Sequence, residues 1–322
     1  MKAIVLEAFG GPEELKLQDV PTGVPGPGQV LVDVAVAGVN FMDVGTRFGA
    51  LAGFLQVPMT PGVEGAGRVA ALGEGVTDLK VGDRVAWFFA WGSYASQLIA
   101  PAEALVPLPD DIDFETAASI MMQGLTASHF VFETYAVKPG DTALVHAAAG
   151  GVGLMLTQMI KLLGGRVIGR VSSQDKVALA REAGADEVIV SRSGEFADEV
   201  LRLTGGNGVQ VVYDGSGAET FQDSLRSLDY HGVLALFGPM MEPTPPVQIY
   251  TLPKSVLLSY PTVQDHVRTR EALVSRSGQI FKWVQEGKLK VRIGKRYPLA
   301  EAAQAHTDLQ SRATTGKLLL IP

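Results

Sequence analysis

The residue types and spacing best suited to chemistry fall in the stretch TALVHAAAGGVGLMLTQMIKLLGGRVIGRVSSQDK, residues 142–176. Ala148-Ala149-Gly150-Gly151-Val152-Gly153 is a small-residue turn between an apolar run, 143–146, and an apolar helical stretch, 152–163, closed by Gly164-Gly165. Residues 166–171 read as a second strand. This is one βαβ unit with a dinucleotide fingerprint in its first turn, except that Ala148 replaces the first glycine of G-x-G-x-x-G. Gly150 lets the backbone approach a pyrophosphate, and Gly153 lets the helix pack closely on the strand. With Gly151 and Val152 at the helix start, the N–H groups there are positioned to bind phosphate oxygens. A strand before the turn and a helix and strand after it make the motif specific.

The end of the second strand decides which nucleotide is held. NAD-binding folds usually place Asp or Glu there for the ribose 2′-OH. Here Gly169, Arg170, Val171 and Ser172 occupy the region, and none is acidic. Ser172, Ser173 and Lys176 offer hydroxyls and a cation, which suit a 2′-phosphate. Asp175 is expected to cap the next helix. The expected cofactor is therefore NADPH.

These groups need a frame. Residues 1–123 read as mostly β, with a hairpin over 2–7 and 14–19 about Gly10-Gly11-Pro12. The stretch 29–39 alternates, with Val30, Val32, Val34 and Val36 on one face. A short helix is expected at 40–48, and further strands at 65–73, after the turn in 78–85, at 94–100 and at 104–108. Many short strands with frequent turns predict a partly open barrel. Helical stretches follow at 113–118, with Asp113 as its cap, and at 121–131. From there strands and helices alternate. Beyond the fingerprint, strands are expected at 187–190, 209–213, 232–237 (ending in Gly238-Pro239) and 256–260. Six strands with intervening helices are what a doubly wound parallel sheet needs. The tail reads as a long helix, 268–286, then strand 289–292, helix 300–310 and strand 317–321.

Composition narrows the class. At 322 residues the chain can bury more than one core, and 47% hydrophobic with 19% charged residues suits a globular protein. A net charge of −7 without a basic block argues against nucleic acid as a partner. The absence of cysteine excludes disulfides, thiolate metal sites and cysteine nucleophiles. No stretch is long and apolar enough to span a bilayer as a helix, and no signal peptide is read at Met1, so the expected location is the cytoplasm.

With these motifs together the chain resembles the medium-chain dehydrogenase/reductase superfamily, and within it the zinc-independent quinone oxidoreductase (zeta-crystallin-like) family. The resemblance covers nearly the whole chain. Its markers are Gly38-Val39-Asn40-Phe41-Met42-Asp43, Pro61-Gly62-Val63-Glu64-Gly65-Ala66-Gly67, residues 81–85, Gly124-Leu125-Thr126-Ala127, residues 146–153, Gly238 and Ser311-Arg312-Ala313-Thr314. It implies an α/β protein with a GroES-like β-barrel domain, residues 1–123 and 263–322, and a Rossmann doubly wound parallel sheet, residues 124–262, that binds NADPH. It also implies homodimers joined through their sixth Rossmann strands.

Departures from the superfamily carry the functional reading. Zinc alcohol dehydrogenases have Cys where this chain has Asn40 and His where it has Val63; Glu64 survives without those partners. The five histidines, at 129, 146, 231, 266 and 306, form no ligand spacing. No metal is expected, so no Lewis acid polarises a carbonyl. What remains is hydride transfer to an electron-poor acceptor, a quinone or an enone or enal. The runner-up is a non-catalytic, crystallin-like NADPH-binding protein.

The resemblance implies roles residue by residue. Asn40 would donate its amide either to the nicotinamide ribose or to the acceptor oxygen. Thr126, Phe237 and Gly238 would lie near the nicotinamide. Lys176 would face the 2′-phosphate, Ser191 would stand near the adenosine in place of a Tyr, and Arg312 would reach the cofactor from the tail. His146 reads as structural. Trp87, Phe88, Phe89, Trp91 and Tyr94 would either line an acceptor pocket or form a barrel-edge cluster.

Overall fold

The computed structural model describes residues 1–238 and 246–322. Pro239 of the expected Gly238-Pro239 turn lies outside the described residues. The chain divides into two compact units, Met1–Gln123 with Val267–Pro322, and Gly124–His266.

The first unit begins with the expected hairpin, β1 (Lys2–Leu6) antiparallel to β2 (Leu15–Asp19). β3 (Gln29–Val39) buries Val30, Val32, Val34 and Val36 and exposes Asp33, so its alternation puts one face into the core. Asn40 caps α1 (Phe41–Arg47), where the Asn40 N–H donates to Asp43 Oδ2 at 2.8 Å. β4 (Glu64–Leu72), β5 (Arg84–Phe88), β6 (Gln97–Pro101) and β7 (Leu105–Pro107) follow. The unit boundary falls inside α2 (Phe114–His129), whose first turn is capped by Asp113 accepting from the Thr116 N–H at 2.7 Å. The sequence reads as two helical stretches here. The structure has one continuous helix: Ser119 and Ile120, between the two stretches, are helical and buried, and the Ser119 hydroxyl donates to the Glu115 carbonyl at 2.7 Å. A π turn, Phe130–Thr134, extends it, with the Tyr135 N–H donating to the Phe130 carbonyl at 3.1 Å.

The second unit repeats strand and helix: β8 (Thr142–Val145), α3 (Gly151–Leu162), β9 (Arg166–Val171), α4 (Val177–Glu182), β10 (Glu187–Val190), α5 (Ala197–Leu203), β11 (Val209–Asp214), α6 (Phe221–Ser227), β12 (Leu228–Leu236) and β13 (Leu257–Ser259), then α7 (Val263–His266). Among the described residues the six strands form one parallel sheet, ordered β10-β9-β8-β11-β12-β13. The order reverses beside β8, which puts the ligand crevice of a doubly wound sheet at the C-terminal ends of β8 and β11. Leu144, Ile168, Phe196, Val212 and Leu234 belong to its core.

The tail adds α8 (Arg270–Gln285), β14 (Ile293–Pro298), α9 (Ala302–Gln310) and β15 (Lys317–Ile321) to the first unit. The strand expected at 289–292 lies instead at 293–298. There Ile293 can pair with Lys317 and Tyr297 with Leu320, which places the Tyr297 ring in the core. β14 and β15 extend the barrel sheet, whose order is β14-β15-β3-β4-β5-β7 with β6 also on β3. β15 therefore runs antiparallel to β3, with Leu318 opposite Val39.

Candidate active site: a phosphate cradle and a buried lysine–glutamate–asparagine cluster

In the Rossmann unit the glycine turn has the shape a pyrophosphate needs. Gly150 is the residue before α3, in an extended conformation, and the first N–H groups of the helix have no acceptor within it. A Cβ on Gly153 would sit 2.2 Å from the Ala147 carbonyl oxygen, so only glycine allows the helix to approach this closely. Ala147 itself holds a left-handed φ of 46°.

Below the turn lies a polar core. His146 Nδ1 is 3.4 Å from Asp214 Oδ1, and Ser224 Oγ is 3.3 Å from His146 Nε2 and donates to Asp214 at 2.7 Å. Burial pushes the His146 ring below its usual pKa, against the pull of the Asp214 carboxylate. Burial alone would raise Asp214. The His146 ring and the donors from Ser224, Ser216 and Thr220 outweigh it and hold the carboxyl below its usual range. His146 is structural, as its sequence context implies. Arg170 is not a solvated charge: it is 5% exposed and donates to the Ser193 carbonyl at 2.7 Å.

At the end of β9, Lys176 Nζ lies 3.3 Å from Ser172 Oγ. Lys176 is buried to 9% exposure. Ser173, not Asp175, is the capping residue of the 3-10 turn Gln174–Lys176. The Ser191 hydroxyl turns into its own loop, donating to the Ser193 and Gly194 carbonyls at 2.8 and 2.9 Å. Thr126 lies half-buried on α2. Phe237 follows β12, its ring 4.8 Å from that of Phe130, and a Cβ on Gly238 would approach the Gly215 carbonyl to 3.2 Å. The structure thus groups Gly150, Gly151, Val152, Gly153, Ser172, Ser173 and Lys176 around the β8 and β9 ends of one sheet.

In the barrel unit, Asn40 and Glu64 share a buried cluster with a residue the sequence reading passed over, Lys317. Asn40 Nδ2 donates to Glu64 Oε2 at 2.9 Å, and Lys317 Nζ donates to Asn40 Oδ1 at 2.8 Å and also to Glu64 Oε2. Glu64 Oε1 accepts from the Met122 N–H at 2.6 Å. Glu64 is 0% and Lys317 1% exposed. A Cβ on Gly38 would lie 2.6 Å from Glu64 Oε2 and 2.7 Å from Lys317 Cε, so Gly38 makes the room for this pair. The missed signal was a lone lysine heading the apolar run Leu318-Leu319-Leu320. Val63, at the second former ligand position, is fully buried and offers no donor.

Asp43 lies next in the same unit. Its Oδ2 accepts from the Tyr94 hydroxyl at 2.9 Å, whose oxygen is 3.1 Å from His306 Nε2. Burial pushes Asp43 up to about 7 and His306 down to about 3. The aromatic group divides. Trp87 and Tyr94 are fully buried core residues, Trp87 bonded through Nε1 to Ser93 at 2.8 Å, so they are excluded as lining of an open pocket. Phe89 and Trp91 are half-buried and meet edge to face. Arg312 is exposed after α9, at a left-handed φ of 59°.

A mostly antiparallel barrel sheet completed by the chain's tail, with a six-stranded parallel sheet carrying a glycine turn, defines the medium-chain dehydrogenase/reductase class. Residues 26–110 match the alcohol dehydrogenase GroES-like domain family, and residues 151–277 the zinc-binding dehydrogenase family. The quinone oxidoreductase of Pseudomonas aeruginosa is 41% identical over 100% of this chain and 99% of its own. A 2-haloacrylate reductase from a Burkholderia species is 36% identical over 99% and 98%. The crystal structure of Escherichia coli quinone oxidoreductase complexed with NADPH superposes with a TM-score of 0.96 at 36% identity, covering 100% of both chains. The chain belongs to the zinc-independent quinone oxidoreductase family of that superfamily.

Proposed function

We propose that this chain is an NADPH-dependent, zinc-independent quinone reductase. The observation that carries the reading is the joint occurrence of a phosphate cradle ending at Lys176 and Ser172, and a former metal position filled by Asn40, Val63 and Glu64. Bound NADPH supplies a hydride. Lys176, Ser172 and Ser173 hold the 2′-phosphate, while Gly150, Gly151, Val152 and Gly153 hold the pyrophosphate. Thr126, Ser191, Phe237, Gly238 and Arg312 complete the cofactor contacts. Asn40 offers its second Nδ2 hydrogen to the acceptor oxygen or to the ribose, held by Lys317 and Glu64.

The similarity to a 2-haloacrylate reductase favours a second reading, in which the acceptor is an activated double bond. We further propose a cytoplasmic homodimer. No helix of the described residues is long and apolar enough to cross a membrane. The edge strand β13 exposes Leu257 and Leu258, with Tyr260 beside it.

One plate of NADPH consumption against several quinones, enones and 2-haloacrylate tests the reading. Turnover is expected with quinones in preference to alkenes. Turnover with alkenes alone selects the second reading, and tight NADPH binding without turnover on any acceptor overturns both.

A further inference from the structure

His129 closes α2, Glu133 stands four residues on in the π turn, and His266 ends α7. None of them has a role in the reading above. The fold brings them together: His129 Nδ1 lies 3.3 Å, and His266 Nδ1 2.9 Å, from the same oxygen, Glu133 Oε2. The ligating atoms of all three lie within 4.8 Å of one another, and the two imidazole centroids are 5.1 Å apart. Both rings are buried, at 8% and 2% exposure, whereas Glu133 reaches the surface.

We propose that His129, Glu133 and His266 form a binding site for a divalent cation of the zinc class, with its remaining position open to water on the Glu133 side. Bonds of about 2.0–2.1 Å to nitrogen and oxygen make the edge of a tetrahedral zinc site roughly 3.3 Å. The two edges to Glu133 Oε2, 3.3 and 2.9 Å, need only small adjustment to reach it, and the edge between the histidines closes from within 4.8 Å. Two imidazoles with one carboxylate suit zinc and its transition-metal neighbours, not Mg²⁺ or Ca²⁺, which want all-oxygen cages. Ser128 Oγ is 3.2 Å from His266 Nε2. When it accepts from Nε2–H it selects the tautomer that turns the Nδ1 lone pair toward Glu133, the arrangement that second-shell partners give metal-bound histidines. The π turn adds to the case, since such turns concentrate at functional sites. An ion here would tie the helix that leads into the Rossmann unit to the one that ends it. Its role is a staple of that unit, separate from the position Asn40 and Val63 occupy.

The test uses untagged, full-length protein stripped with a chelator and titrated with Zn²⁺ by calorimetry, and with Co²⁺ as a visible-absorption probe. We expect one saturable site per chain, intense tetrahedral Co²⁺ bands, and a rise in Tm with added Zn²⁺. Glu133→Gln and His266→Ala should each abolish the saturable event, and Ser128→Ala should weaken it roughly 10–100-fold. Circular dichroism melting checks that each variant folds. If His266→Ala does not fold, the surface-reaching Glu133→Gln decides. Protons alone can bridge two imidazoles through one carboxylate; absence of a saturable Zn²⁺ event in the parent would then overturn the proposal. So would an event that persists in a folded Glu133→Gln variant.

Discussion

Lys317 Nζ donates to Asn40 Oδ1 across 2.8 Å, although 277 positions separate the two residues in the chain. An ammonium can only donate and a carboxylate only accept, so the contact settles which way the Asn40 amide is turned. Oδ1 faces Lys317, Nδ2 faces Glu64, and one N–H of the amide is left to point elsewhere. In the zinc dehydrogenases a cation-binding set occupies this position; here a buried ammonium supplies the positive charge beside Glu64.

Asn40→Ala tests the chemistry at that amide. A quinone that accepts hydride delocalises its charge, so one donor should be worth about 1–2 kcal/mol. We expect kcat to fall about tenfold, equivalent to about 1.4 kcal/mol in the barrier. If Asn40 holds only the ribose, the KM for NADPH rises and kcat stays. Steady-state measurement of both constants separates the two roles.

Lys317→Met should act first on stability. It leaves the buried Glu64 without its cation, a defect of about 3–5 kcal/mol. Denaturant unfolding should show the loss, and adding Glu64→Gln should restore part of it. Equal stability of Lys317→Met and the parent would remove the pair from the energetics of the barrel unit.

The proposed 2′-phosphate contacts are Lys176 and Ser172, which lie 3.3 Å apart. NADPH should bind more tightly than NADH, and Lys176→Ala should cost NADPH about 1.5–3 kcal/mol while changing NADH little. Fluorescence titration of both cofactors against both proteins measures this. Equal affinities in the parent would refute it.

Asp43 should make stability depend on pH. Burial raises it to about 7, while the unfolded carboxyl titrates near ~3.9. Between those values the native state holds a proton that the unfolded chain has released. Asp43 therefore stabilises fully below about pH 4, and that contribution is lost as pH rises toward 7. His306, depressed to about 3, runs the other way: its contribution is present above about 6.5 and fades as pH falls. The informative quantity is thus the difference between the parent and Asp43→Asn. Stability of the parent relative to the variant should decline by up to about 1.4 kcal/mol per pH unit across that window. Parallel profiles would mean that Asp43 titrates normally.

Turnover should survive dialysis against a strong chelator, because Asn40 and Val63 replace the catalytic ligands. Elemental analysis run beside the assay distinguishes a metal that activity follows, which would refute this, from one that alters only thermal stability.

The sequence by itself determined the architecture and the cofactor chemistry, because both are written in local order. The spacing of Gly150 and Gly153 is readable within one turn, and the missing acid after β9 within one strand end. Period-two burial along β3 and the regular alternation of strand and helix after residue 142 are also short-range signals. Boundaries that depended on distant partners were not legible. β14 lies at 293–298 because β15 sets its register, and α2 runs unbroken through Ser119 and Ile120, which the core buries. Only the tertiary structure decided what surrounds Asn40, since Lys317 arrives from the last strand through the pairing of β15 with β3. The histidines show the same limit. His129 and His266 form no spacing a sequence reader would recognise, yet α2 and α7 bring both to one oxygen of Glu133. A charge or a ligand buried among apolar strands is chosen by what it meets in space, and that partner can come from anywhere in the chain.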